Sequence, residues 1–123
     1  MNNTNSNGSN GGSATASPTP TRLQDEAALD GFRTGADVVL VEFFTSGCSI
    51  CQSMEPVLGN VARDADVPVG TINPRDDPPL VDRFDVRSVP LFVLFVDGEP
   101  VARLADGFVS GEALSSWITE HSS

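Results

Sequence analysis

The sequence predicts an α/β fold: a central mixed four-stranded sheet, built from a parallel βαβ unit plus an antiparallel hairpin, with helices on both faces. Three observations predict it. Val38 to Val41 form an unbroken β-branched and aliphatic run, as expected of a strand covered on both faces. Apolar spacing alternates along the chain in the order α-β-α-β-α-β-β-α, and helices that connect parallel strands come to lie on the faces of the sheet. Asp97-Gly98 separates two apolar runs, and that dipeptide suits the positive φ angles of a two-residue hairpin turn.

The first helix is expected from Thr21, an N-cap candidate with Gln24 completing a capping-box pattern. Leu23, Ala27, Ala28, Leu29 and Phe32 follow at helical spacing, and Gly35 stands where a helix would stop. "DVVLVEFFT" is the first strand. "CQSMEPVLGNVARDA" reads as a helix with Met54, Val57, Leu58, Val61 and Ala62 on one stripe and Pro56 as an internal kink. "VPVGTIN" is a short second strand, and "DPPLVDRFDV" gives one or two helical turns, with Pro79 suited to the first. "PLFVLFVDGEPVARLA" supplies the hairpin. "SGEALSSWITEH" closes the chain as a helix capped by Ser110, with Leu114, Trp117 and Ile118 facing the core.

The 123-residue length suits one domain. Residues 1–20 carry no charged side chain and almost nothing apolar. Such a segment buries too little surface to offset its ordering entropy, so it is read as a disordered low-complexity tail before a domain spanning 21–123. It lacks the basic start and apolar centre of a secretory signal, and no run is long enough to span a membrane, so a soluble cytoplasmic monomer is expected. The domain carries 17 acidic side chains against 7 arginines and no lysine, for a net charge of −10. That balance repels nucleic acid and anionic lipid. It is either an ordinary solubilising surface or an adaptation to concentrated salt, which screens self-repulsion.

The only two cysteines, Cys48 and Cys51, stand two residues apart directly after the first strand. Three readings compete. A structural zinc site needs four ligands, and the single histidine, His121, is far away at the C-terminus. A static bridge across two residues closes a loop too small to restrict the unfolded chain much. A redox couple fits better. At a strand-to-helix junction, unpaired N–H groups and the positive end of the helix dipole stabilise a thiolate at Cys48. Cys51, one turn on and less exposed, can then resolve a mixed disulfide.

C-x-x-C alone is a weak signal, but here it has company. The order strand, C-x-x-C, helix with proline five residues after the second cysteine, "SVP" opening a late strand, and "F-x-x-G" at the hairpin (Phe95 to Gly98) resembles the thioredoxin family over about residues 21–121. The resemblance implies a thioredoxin-like fold and thiol–disulfide exchange through a Cys48–Cys51 disulfide, with no other cofactor and no metal. It makes Cys48 the nucleophile and Cys51 the resolving thiol. Pro90 matches the family's cis-proline, and Val89 would offer its backbone to an extended substrate. Gly107 matches a glycine near the substrate groove. Glu42 stands where the family has an aspartate that exchanges a proton with the resolving thiol; it either faces solvent at a strand edge or lies buried beneath the cysteines. The family's nearby lysine is replaced by Thr71.

Three positions next to the thiols also depart from the family. Gly47 stands where a tryptophan is usual, and Ser49-Ile50 replaces Gly-Pro between the thiols. Ser49 either supports the Cys48 thiolate or is simply exposed, and Ile50 either forms an apolar lip for a peptide or packs on the domain. The function implied is a protein disulfide reductase, with disulfide-containing client proteins and a thioredoxin-reductase-like electron donor as partners. The alternative is a thioredoxin-like binding or redox-sensing module with little general reductase activity.

Overall fold

The computed structural model describes residues 19–122. The tail expected over residues 1–20 falls, up to residue 18, outside the described residues. Ten elements follow in order: β1 (Thr21–Leu23), α1 (Glu26–Arg33), β2 (Val38–Phe43), α2 (Ser49–Asp64), β3 (Val69–Ile72), a 3-10 turn (Pro74–Asp76), α3 (Pro79–Arg83), β4 (Leu91–Val96), β5 (Glu99–Leu104) and α4 (Gly111–Ser122).

The described residues form a five-stranded sheet, ordered β1-β3-β2-β4-β5. The pairs β1–β3 and β2–β3 are parallel, and β2–β4 and β4–β5 antiparallel. The mixed sheet with its terminal hairpin is as expected; the fifth strand is not. Thr21–Leu23 was expected to open a helix but pairs with Gly70–Ile72, because the exposed edge of β3 offers those backbone groups ladder partners. The helix instead starts after Asp25, whose carboxylate accepts from the Ala28 amide at 2.9 Å.

The sheet separates two cores. On one face α2 and α4 pack Met54, Leu58, Val61, Leu114 and Ile118 over Leu40, Phe92 and Leu94. On the other, α1 and α3 pack Leu29, Leu80 and Phe84 over Val39, Val41, Phe43, Val93 and Phe95. The consecutive apolar run of β2 is explained: alternate side chains feed opposite cores. Trp117, expected inside, is only half-buried at the rim of the α2/α4 core, where its ring leans on His121. Gly70 is needed where it stands. A Cβ there would lie 2.9 Å from both Leu23 and Phe32 atoms, so its absence lets α1 and β1 close over β3.

The hairpin turns at Asp97 and Gly98, both with positive φ (53° and 80°), as expected of Asp-Gly. Register then decides what gathers at the site. Phe43, the last residue of β2, lies opposite Leu91, the first of β4, and Leu104, the last of β5, pairs with Phe92. The loops after β2, before β4 and after β5 therefore leave the sheet at one end.

Candidate active site

The cysteines stand at that end. After β2 the chain makes a turn closed by the Cys48 amide donating to the Thr45 carbonyl at 3.3 Å. Gly47 is its third residue with φ +83°, the left-handed conformation a type II turn requires there. Nothing lies within 4 Å of a Cβ built at Gly47, so backbone conformation, not crowding, calls for glycine. The turn delivers Cys48 as the N-cap of α2. Its sulfur accepts from the Cys51 amide at 3.1 Å. The first turn of α2 carries no acidic residue, so no carboxylate in that turn opposes negative charge on the sulfur.

Cys48 and Cys51 are joined as a disulfide with their Cα atoms 5.2 Å apart. Cys48 is half-buried and Cys51 buried, the asymmetry expected of an attacking and a resolving thiol. Helix α2 continues through Pro56 to Asp64. Ser49 is exposed; the donor to Cys48 is the Cys51 amide rather than a group of Ser49. Ile50, between the two cysteines, is 44% exposed.

The Val89–Pro90 peptide is cis, and Pro90 is buried immediately before β4, at the cysteine end of the sheet. Gly107 has φ +79° and open space around it. Its loop is fixed to α2 by the Val109 amide, which donates to the Met54 sulfur at 3.4 Å. Met54 lies one turn beyond Ile50, so this loop borders the same stretch of helix, with Phe108 beside it 54% exposed.

Glu42 is buried, only 2% exposed. It pairs with Thr71 on one side and Phe92 on the other and shares the sheet face of Leu40, the face under α2. Of the two positions the sequence allowed, solvent edge or beneath the cysteines, it takes the second. Its Oε2 has no hydrogen-bond partner. Burial pushes its carboxyl up from 4.5 to about 8, and the Glu55 carboxylate adds to the push. A cleft of about 530 Å³ joins Glu42, Cys51, Thr71, Glu55 and Arg22.

Glu55 and Arg22 were not picked out from sequence. Glu55 lies four residues after Cys51, hence on the same helix side, but an exposed acid in so acidic a chain carries no distinguishing signal. Arg22 became part of the site only because β1 is a strand.

Comparisons with known proteins agree with this geometry. The chain matches the Thioredoxin family over residues 23–120. It is 35% identical over 85 residues to a thioredoxin of Chlamydia pneumoniae, covering 68% of this chain and 82% of that one. It is 32% identical over 102 residues to a thioredoxin of Staphylococcus saprophyticus, covering 81% and 95%. Among solved structures, a point-mutant thioredoxin from Halobacterium salinarum superposes with a TM-score of 0.81 at 32% identity, covering 88% of this chain and 95% of that one. A disulfide whose first sulfur caps a helix is a device for trading electrons between thiols, and with these likenesses the conclusion is plain: the chain is a thiol–disulfide oxidoreductase belonging to the thioredoxin family.

Proposed function

We propose that the chain, through residues 21–123, reduces disulfides in client proteins and is itself re-reduced by a thioredoxin-reductase-like dithiol donor, acting as a cytoplasmic monomer with the Cys48–Cys51 couple as its sole redox group. The observation that carries this reading is the seat of Cys48 at the N-cap of α2 with the Cys51 amide on its sulfur.

The Cys48 thiolate attacks one sulfur of the client disulfide; a mixed disulfide forms and the client's other sulfur leaves as thiolate. Cys51 gives its proton to the Glu42 carboxylate across the cleft and, as thiolate, attacks the Cys48 sulfur. The Cys48–Cys51 bond closes and the client's second sulfur leaves, so two electrons pass from the protein to the client. On re-reduction the donor thiolate attacks the Cys48 sulfur, and protonated Glu42 supplies the proton to the departing Cys51. Ile50, Val89, Pro90 and Gly107 bind the client: Val89 through its main chain, Ile50 through its exposed apolar surface.

Insulin reduction, followed by turbidity, tests this. Acceleration well above an equal concentration of free dithiol is expected, abolished in Cys48→Ser. A parent protein no faster than dithiol, or indistinguishable from Cys48→Ser, would overturn it.

A further inference from the structure

The acid beneath the cysteines has company that its proposed role as proton exchanger does not use. Strand register lines up Arg22, Thr71 and Glu42 side by side on one face of the sheet, on β1, β3 and β2. From α2, above that face, Glu55 and buried Cys51 border the same cleft. From β4 the neighbour is Phe92, which does not titrate. The charged groups facing Glu42 are thus one carboxylate, Glu55, and one guanidinium, Arg22.

Their effects are unequal. Arg22 stands two strands away, beyond Thr71, and its guanidinium pairs with Asp76 at 3.1 Å, which spends much of its field on another carboxylate. Its Cζ also lies 4.8 Å from the centre of the Phe44 ring, another residue that lines the cleft. Glu55 has no ion pair among the described salt bridges. Its negative charge acts on Glu42 through a cleft bounded by protein, where charges are felt more strongly than across open water.

We propose that Glu55 is a positioning residue for the exchange reaction: from the mouth of the cleft it holds the proton on Glu42, and so sets the pH above which Cys51 can hand its own proton over. The proposal rests on the reading of Glu42 as proton exchanger. It gives the cleft a direction. At neutral pH, a protonated Glu42 is ready to donate to Cys51 as the disulfide is reduced, whereas accepting the Cys51 proton waits for Glu42 to ionise. Because Glu55 is exposed, its influence is open to screening by salt, with a Debye length of about 3 Å at 1 M. The burial of Glu42 is not.

The test uses the full chain and two conservative variants, Glu55→Gln and Glu42→Gln. Carbon NMR of the side-chain carboxyls in the oxidised protein follows Glu42 directly. Its inflection is expected to fall in Glu55→Gln, and in the parent to fall on going from low salt to 1 M KCl, a salt response that Glu55→Gln makes smaller. In parallel, decay of a mixed disulfide formed with a chromogenic thiol reports the Cys51 step. At pH 7 that step should quicken in Glu55→Gln by roughly two- to fivefold, the scale of a partly exposed charge pair, and its pH profile should move to lower pH with the NMR inflection. A Glu42 inflection unmoved in Glu55→Gln overturns the proposal while leaving the exchanger reading intact, provided Glu42→Gln still flattens the rate profile. An inflection that moves without the rate profile overturns both.

Discussion

The Cys51 amide donates to the Cys48 sulfur across 3.1 Å, so the residue proposed to resolve the mixed disulfide also supplies, through its main chain, a hydrogen bond to its partner. In the dithiol form the same N–H, with the helix dipole behind it, favours Cys48 as thiolate.

Cys48 should therefore alkylate with an inflection below the ordinary thiol value of about 8.5, and Cys51, buried at 4% exposure, should react far more slowly. Iodoacetamide labelling of the reduced protein across pH, read by mass spectrometry, measures both. Cys51→Ala should also trap a mixed disulfide with client that Cys48→Ala does not form. Equal labelling of the two thiols would contradict the assignment of roles.

Glu42 should make the fold less stable as pH rises. Its folded value, about 8, lies above the 4.5 of an unperturbed carboxyl. The folded state therefore keeps a proton that the unfolded chain has released. The stabilisation is fully present below about pH 4.5 and is lost progressively as pH climbs to about 8, on the order of 4 kcal/mol by linkage. Glu42→Gln cannot ionise. Its urea-unfolding free energy relative to the parent should grow across that window, from little or no gain near pH 4.5 to a gain of several kcal/mol near pH 8. A difference independent of pH would mean that Glu42 titrates normally.

Gly47→Val should weaken both fold and chemistry. The φ of +83° is unfavourable for a β-branched residue by roughly 1–2 kcal/mol, and relief would come from opening the turn that seats Cys48 on the helix end. Urea unfolding should register the stability loss, and the Cys48 alkylation inflection should rise. Unchanged labelling alongside the stability loss would show that the turn serves the fold alone.

Much of this was legible beforehand because periodicity and punctuation agreed. The aliphatic run Val38–Val41, the stripe Met54, Leu58, Val61, Ala62 and the Asp97-Gly98 turn each predict their element by themselves. Strand β1 was hidden because it is three residues long, exposed at two of them, and owes its conformation to the backbone of β3 some fifty residues on. Glu42 announced itself as an acid in an apolar strand, but which face it took depended on pairing with Thr71 and Phe92, which no local pattern encodes. Glu55 and Arg22 were invisible as site residues for the same reason: on a chain of net charge −10, single surface charges acquire meaning only once the fold places them around one cleft.

Salt should stabilise this protein even though it weakens individual ion pairs. Arg83 bridges α3 to α1 through Asp30 at 2.7 Å and Glu26 at 2.7 Å, and the Arg83 and Arg33 guanidiniums lower the Asp30 carboxyl to about 2. Asp30 is 40% exposed, so solvent screening limits that network to about 1 kcal/mol. It is present above the ordinary aspartate range and lost as pH falls toward 2. Against it stands the repulsion among 17 acidic side chains offset by only 7 arginines, which molar salt screens across the whole surface. The melting temperature should therefore rise between 0.05 and 1 M KCl. Asp30→Asn should lose about 0.5–1 kcal/mol at low salt and approach the parent at 1 M, because the same ions screen the pair it lacks. Thermal melts of both proteins at the two salt concentrations separate the effects. A parent melt that is flat or falling with KCl would mean that local pairing outweighs the net charge.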